Sequence, residues 1–171
     1  KKKGIYFLPS MFTLGNLSMG FLSIHLAMEG RYSTSAWYIL FAGLFDALDG
    51  RIARMTNTTS KFGEELDSLA DMVSFGVAPA ILIYNFILFK NTRWGLAICL
   101  IYVIAVSLRL ARFNTLKDDE QPQYYFKGLP SPAGAGILTT FVLLSGVMNN
   151  EVYHKTLPFA SDYFFVFVKF W

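Results

Sequence analysis

Asp46-Ala-Leu-Asp49-Gly50-Arg-Ile-Ala53-Arg54 and, eight residues on, Gly63-Glu-Glu-Leu-Asp67-Ser-Leu-Ala-Asp71 set four aspartates between apolar flanks. Trp37-Tyr-Ile-Leu-Phe41 precedes them and Val77-Ala-Pro-Ala-Ile-Leu-Ile83 follows. Ionisable groups in a membrane segment are costly and mark function. A divalent cation is the simplest reason to gather four, because hard cations take oxygen ligands and neutralise clustered charge. Residues three and four apart share a helix face. Asp46, Asp49, Gly50, Ala53 and Arg54 therefore line one side of one helix. Gly63, Asp67 and Asp71 line one side of the next, with Ser74 and Ala78 continuing the stripe. A short polar link at 56–60 makes the two helices antiparallel, so the two faces can meet.

Outward from this stretch, 54% of the residues are hydrophobic and only 16% charged, outside the range of soluble domains. Apolar runs near bilayer-crossing length recur at 11–28, 35–55, 62–89, 94–116, 130–148 and 158–171. The expected fold is all-α: a polytopic membrane protein with six transmembrane helices. No linker, repeat or low-complexity tract divides it, so 1–171 is expected to form a single membrane domain. The last run is short for a span and the chain starts without Met, so a fragment trimmed at both ends is expected. Its lysine-led start resembles a signal peptide. No small-residue cleavage site follows, and a retained helix is the expectation.

Six spans put Lys1, Lys2, Lys3, Arg51, Arg54, Lys61, Arg109, Arg112, Lys117, Lys127 and Lys169 on one side. Arg31, Lys90, Arg93 and Lys155 fall on the other. The positive-inside rule then places both termini and the acidic cluster on the cytoplasmic side of the inner membrane. A net charge of +3 suits anionic lipids and substrates. Nucleic acid is not expected, since there is no soluble basic domain to bind it. The sole cysteine, Cys99, excludes a disulfide within the chain and should be buried. His25 and His154 have no ligand-spaced partner. The Asn57-Thr58-Thr59 sequon falls on the cytoplasmic side, where glycosylation is not expected.

Arg54 would repel a metal unless an anion lay between them, and its planar fork suits phosphate oxygens. Gly50 and Ala53 leave room either for a ligand or for close helix packing. Carboxylates, a divalent metal, Arg54 and a roomy wall describe a diphosphate site. The rival from another class is a cation transporter with an intramembrane carboxylate site. Arg54 argues against it, because a cation path gains nothing from a fixed positive charge.

The run from Asp46 to Arg54, with Gly63, Asp67 and Asp71 in register, resembles the motif of the CDP-alcohol phosphotransferase family without substitution. The resemblance covers nearly the whole chain. It implies a six-helix membrane enzyme, paired as a homodimer, that moves a phosphatidyl or similar group from a CDP-linked lipid to an alcohol and releases CMP. Asp67-Ser-Leu-Ala-Asp-Met-Val-Ser-Phe-Gly-Val-Ala-Pro79, Arg109-Leu-Ala-Arg-Phe-Asn114 and Gly128-Leu-Pro-Ser-Pro132 resemble the branch that uses serine. Ser68 and Met72 depart from the branch that makes phosphatidylglycerophosphate. CDP-diacylglycerol and L-serine are thus the implied substrates. Another acceptor alcohol or an ether-lipid donor is the alternative.

The same resemblance implies two divalent cations, Mg²⁺ or Mn²⁺. Asp46, Asp49 and Asp67 would hold the first; Asp46, Asp67 and Asp71 the second. Asp71 matches the proton acceptor. Gly50, Arg54 and Ser60 match contacts to the CDP-lipid, with Ala53 beside them, although Ser60 equally fits an ordinary N-cap. Arg109 and Arg112, three apart near the cytoplasmic end of the fourth span, fit lipid-phosphate anchors. They also fit recognition of a substrate phosphate or the serine carboxylate. Ser131, in the Pro130-Ser131-Pro132 start of the fifth span, offers backbone N–H groups to that carboxylate or simply marks a helix start. Glu64, Glu65, Asp118, Asp119 and Glu120 are expected to be solvated.

Overall fold

The computed structural model describes residues 7–56, 61–87, 92–117 and 130–148, and these contain helices and no strand. In chain order they are α1 (Phe7–Met28), α2 (Tyr32–Thr56), α3 (Lys61–Asp71), a π-helical segment (Met72–Val77), α4 (Ala78–Phe86), α5 (Thr92–Lys117) and α6 (Ser131–Met148). The segments α3, π and α4 run on without a gap. Five of the six expected spans coincide with these helices; the sixth, 158–171, lies outside the described residues. The first helix starts four residues earlier than its apolar run. Pro9 is tolerated there, because first-turn N–H groups have no intrahelical acceptor to lose.

Met11–Met28, Lys61–Phe86 and Trp94–Thr115 are long and apolar enough to cross a membrane, and Ser131–Gly146 is a shorter apolar helix. The chain is a multi-pass membrane protein. Helix α2 falls short on apolarity because its second half carries Asp46, Asp49, Arg51 and Arg54. Its 25 residues still reach about 37 Å, enough to span. The side-chain distribution agrees with a lipid surround. Trp94, Leu96, Ile98, Leu100, Ile101 and Leu108 of α5 are exposed, while Thr13, Asn16, Ser23, Ser35, Ser74 and Thr139 are buried.

Small residues let the helices approach closely, which is how helices associate where lipid removes the hydrophobic drive. The core is built around Ala27, Ala36, Ala42, Ala78 and Ala135, with Phe75, Ile39, Leu82 and Val142 filling the gaps. Helix α1 packs most extensively on α2 and also lies along α3, the π segment and α4. Ser23 and Ser35 clasp α1 to α2: each hydroxyl donates to the other's backbone carbonyl, at 3.0 and 2.9 Å. Gly20 of α1 lies so near the π segment that a Cβ there would come 2.9 Å from Ser74 Cα.

The π segment traces to Pro79. Proline has no N–H, so the carbonyl four residues earlier, that of Phe75, loses its α-helical donor and is crowded by the ring. Tyr102 of α5 supplies the missing donor, its hydroxyl reaching Phe75 O at 2.8 Å. The Ala78 N–H reaches back five residues to Val73 O, the π pattern. Ser74 donates to Asn16 O at 3.0 Å, pinning the segment to α1. Cys99 is buried as expected, with its thiol against Ala80 O.

Candidate active site

Helices α2 and α3 bring the two acidic faces together. Asp46, Asp49 and Asp67 each present a carboxylate oxygen, and the three oxygens lie within 4.8 Å of one another. Asp71, one turn beyond Asp67, has its carboxyl within hydrogen-bonding reach of Asp46 and feels the charges of Asp67 and Asp49 as well. Counted along the helices, Asp46 and Asp71 sit about 15 Å in from the ends at Thr56 and Lys61. Asp49 is almost fully buried and the other three are half-buried. Four acids so close repel one another strongly unless cations or protons intervene. An all-oxygen set suits a hard divalent cation, and the three oxygens that converge most tightly form a ready-made ligand group.

Two side chains that the sequence reading passed over complete the wall. Thr13 of α1 donates its hydroxyl to Asp49 Oδ2 at 2.9 Å. Asn16, one turn on, donates from Nδ2 to Asp71 Oδ1 at 3.2 Å. Both are buried polar groups in an apolar helix. That was the available signal: Thr13 and Asn16 stand three apart on one face of a membrane span.

The remaining sequence candidates divide. Gly50 is on α2, half-buried, one residue past Asp49. Ala53 and Arg54 continue α2 toward its end, and Ser60 lies outside the described residues. Arg109 is half-buried and donates through Nη1 to the buried Ser131 Oγ at the start of α6. Arg112 is exposed. The structure thus separates the two arginines: one is tied into the bundle through Ser131 and the other is exposed. The Ala133 and Gly134 N–H groups already bond Pro130 O, at 3.0 and 3.2 Å, so they are not free to hold a carboxylate. Ser68, beside Asp67, accepts from Asn114 Nδ2 at 2.9 Å. This ties the last turns of α5 to α3, so Arg109 and Ser131 lie at the acidic end of the bundle. Glu64 and Glu65 are exposed as expected, and His25 pairs with Glu29 at 3.2 Å on the surface.

The chain belongs to the CDP-alcohol phosphatidyltransferase family, whose profile matches residues 6–168. Among curated proteins, it is 42% identical over 140 residues to the CDP-diacylglycerol–serine O-phosphatidyltransferase of Helicobacter pylori, covering 82% of this chain and 59% of that protein. It is 46% identical over 132 residues to the protein of the same name from Mycobacterium leprae, covering 75% and 44%. An archaetidylserine synthase of Methanothermobacter thermautotrophicus is 40% identical over 139 residues, covering 80% and 58%. The chain therefore spans between 44% and 59% of the length of these three relatives.

Proposed function

We propose that this chain is the catalytic membrane domain of an enzyme that transfers the phosphatidyl group of CDP-diacylglycerol to L-serine, giving phosphatidylserine and CMP. The observation that carries this reading is the convergence of the Asp46, Asp49 and Asp67 oxygens, with Asp71 beside them. The names of all three relatives include serine, while the lipid differs in one of them, which supports serine as the acceptor. The archaeal relative's name favours a second reading, in which the donor is an ether lipid and the acceptor is unchanged.

Asp46, Asp49 and Asp67 would hold one divalent cation, Mg²⁺ or Mn²⁺, and Asp46, Asp67 and Asp71 a second. Bound there, the cations supply charge neutralisation at the diphosphate as its bridging bond breaks. Asp71 takes the proton from the serine hydroxyl while that oxygen attacks the lipid-bearing phosphorus. The bond from that phosphorus to the bridging oxygen breaks, and CMP departs with the bridging oxygen. A carboxylate is a weak base for a free hydroxyl, but transfer concerted with attack makes it sufficient. Gly50 and Ala53 give the CDP-lipid room, Arg54 forks onto a phosphate, and Ser60 contacts the same substrate. Arg109, held by Ser131, receives the serine carboxylate or a phosphate. The enzyme works as a homodimer in the inner membrane, with the site and both termini facing the cytoplasm. Lipid enters sideways from the bilayer and serine from the aqueous side.

The test is CMP release by purified protein in mixed micelles, with CDP-diacylglycerol as donor and a panel of acceptors: serine, glycerol 3-phosphate, inositol and ethanolamine. Serine alone should drive release. Equal release with another acceptor overturns the assignment, and metal flux across vesicles without CMP release points to a transporter.

A further inference from the structure

We infer that Asn16 is a positioning residue for Asp71: its amide fixes which carboxylate oxygen is left to face the acceptor hydroxyl. The inference rests on the proposed transfer reaction, in which Asp71 is the base. Asn16 is fully buried and donates from Nδ2 to Asp71 Oδ1 at 3.2 Å. An aspartate carboxyl turns readily about its last bond, and an N–H donor on one oxygen holds that rotation. With Asp71 ionised, as the proposed base must be, the opposite amide orientation would point Oδ1 at a carboxylate, which is repulsive, so the ionised form selects this orientation.

Asn16 is itself immobilised. Its backbone carbonyl accepts the Ser74 hydroxyl at 3.0 Å, three residues past Asp71. One turn along α1, Gly20 allows the two backbones to touch, since a Cβ there would come 2.9 Å from Ser74 Cα. Helix α1 is thus fixed against the π segment at Asn16 and again at Gly20. Meanwhile Asn16 Oδ1 is buried and has no hydrogen-bond partner among the described residues. A buried acceptor left unsatisfied is destabilising, and a leucine of similar size would avoid that loss. What the amide does with its N–H₂ is therefore the reason for an asparagine here. Thr13, one turn earlier, makes the equivalent donation to Asp49.

The experiment is a double-mutant cycle on CMP release, with serine and CDP-diacylglycerol each titrated. Asn16→Ala and Asn16→Leu are made in the wild-type chain and in Asp71→Asn, and thermal unfolding in detergent checks folding. Acting through Asp71, either Asn16 variant should lower kcat about tenfold or more, with KM for CDP-diacylglycerol within about twofold. In the Asp71→Asn background the same substitution should cost less than about twofold further. A merely structural role predicts equal factors in both backgrounds, and that result overturns the inference. So does an unchanged kcat, or failure of both Asn16 variants to fold where Asp71→Asn folds. Absence of serine-dependent CMP release from the wild type instead overturns the proposed reaction, and this inference with it.

Discussion

At the scale of single residues, four carboxylates in one bundle end divide their work by where they sit. Asp49 is the most buried and is held by Thr13, so it is suited to a fixed ligand. Asp71 lies deepest along its helix and meets Asp46, so it is suited to exchange a proton with an incoming hydroxyl. Asp71→Asn keeps size and one oxygen but removes the base. We expect kcat to fall roughly 10²-fold or more while CDP-lipid binding largely survives, read from turnover beside equilibrium binding of the CDP-lipid. Near-normal turnover would remove Asp71 from the role of base. The arginines give a second contrast. Lys keeps the charge of Arg109 but not the planar fork that reaches Ser131, so Arg109→Lys should cost about 1–3 kcal/mol in serine or lipid saturation. Exposed Arg112 needs only a long stem and a positive head, and Arg112→Lys should leave both saturation curves unchanged. Equal losses at both positions would contradict this division. The acidic residues were legible in the sequence because charge in apolar surroundings stands out. Asn16 was not, because an uncharged amide in a span blends with ordinary helix-packing polar residues until its partner, 55 positions away, is known.

At the scale of elements, hydrophobic run length located five helices to within a few residues, since a helix is the structure that satisfies its own backbone in lipid. Run length says nothing about the pattern of bonds inside a helix. The π segment was therefore hidden, although Pro79 carried the cue: a proline forces the carbonyl four residues back to look elsewhere. Its new donor, Tyr102, lies 27 residues along the chain on another helix, a distance no local reading reaches. Glycines show the same dependence on tertiary context. Gly20 and Gly136 look alike in sequence, yet a Cβ at Gly20 would collide with Ser74 backbone, whereas one at Gly136 meets nothing within 4 Å. Gly20→Val should therefore destabilise by about 1–3 kcal/mol or more, because backbone has to move. Gly136→Ala should be neutral or stabilising by up to about 1 kcal/mol, since alanine loses less entropy in a helix. Denaturant titration of the two variants in detergent decides it; similar losses at both sites would mean the close approach at Gly20 carries no weight.

At the scale of the whole molecule, the acidic centre is a structural joint as well as a candidate reaction site. Asp46 and Asp49 belong to α2, Asp67 and Asp71 to α3, and Thr13 and Asn16 reach them from α1. Three helices therefore meet at a point where like charges push them apart, and small buried residues elsewhere hold them together. A cation that satisfies the carboxylates would convert that repulsion into a bridge between α2 and α3. Binding to the folded state alone stabilises by an amount that grows with the logarithm of concentration, about 2.7 kcal/mol at one hundred times the dissociation constant. Two consequences should therefore appear together. Excess chelator should abolish CMP release, and Mg²⁺ or Mn²⁺ should restore it. The same additions should lower and then raise the unfolding midpoint in detergent. Asp46→Asn, which removes charge from both proposed ligand sets, should flatten the metal-dependent rise in midpoint even where no turnover is left to measure. Calcium offers a further separation, because its larger radius and looser geometry allow binding without the tight octahedral arrangement that Mg²⁺ demands. It should stabilise the fold while supporting little turnover. Full activity in chelator, with a midpoint indifferent to every cation, would mean that the four aspartates are held by protons and the surrounding helices alone.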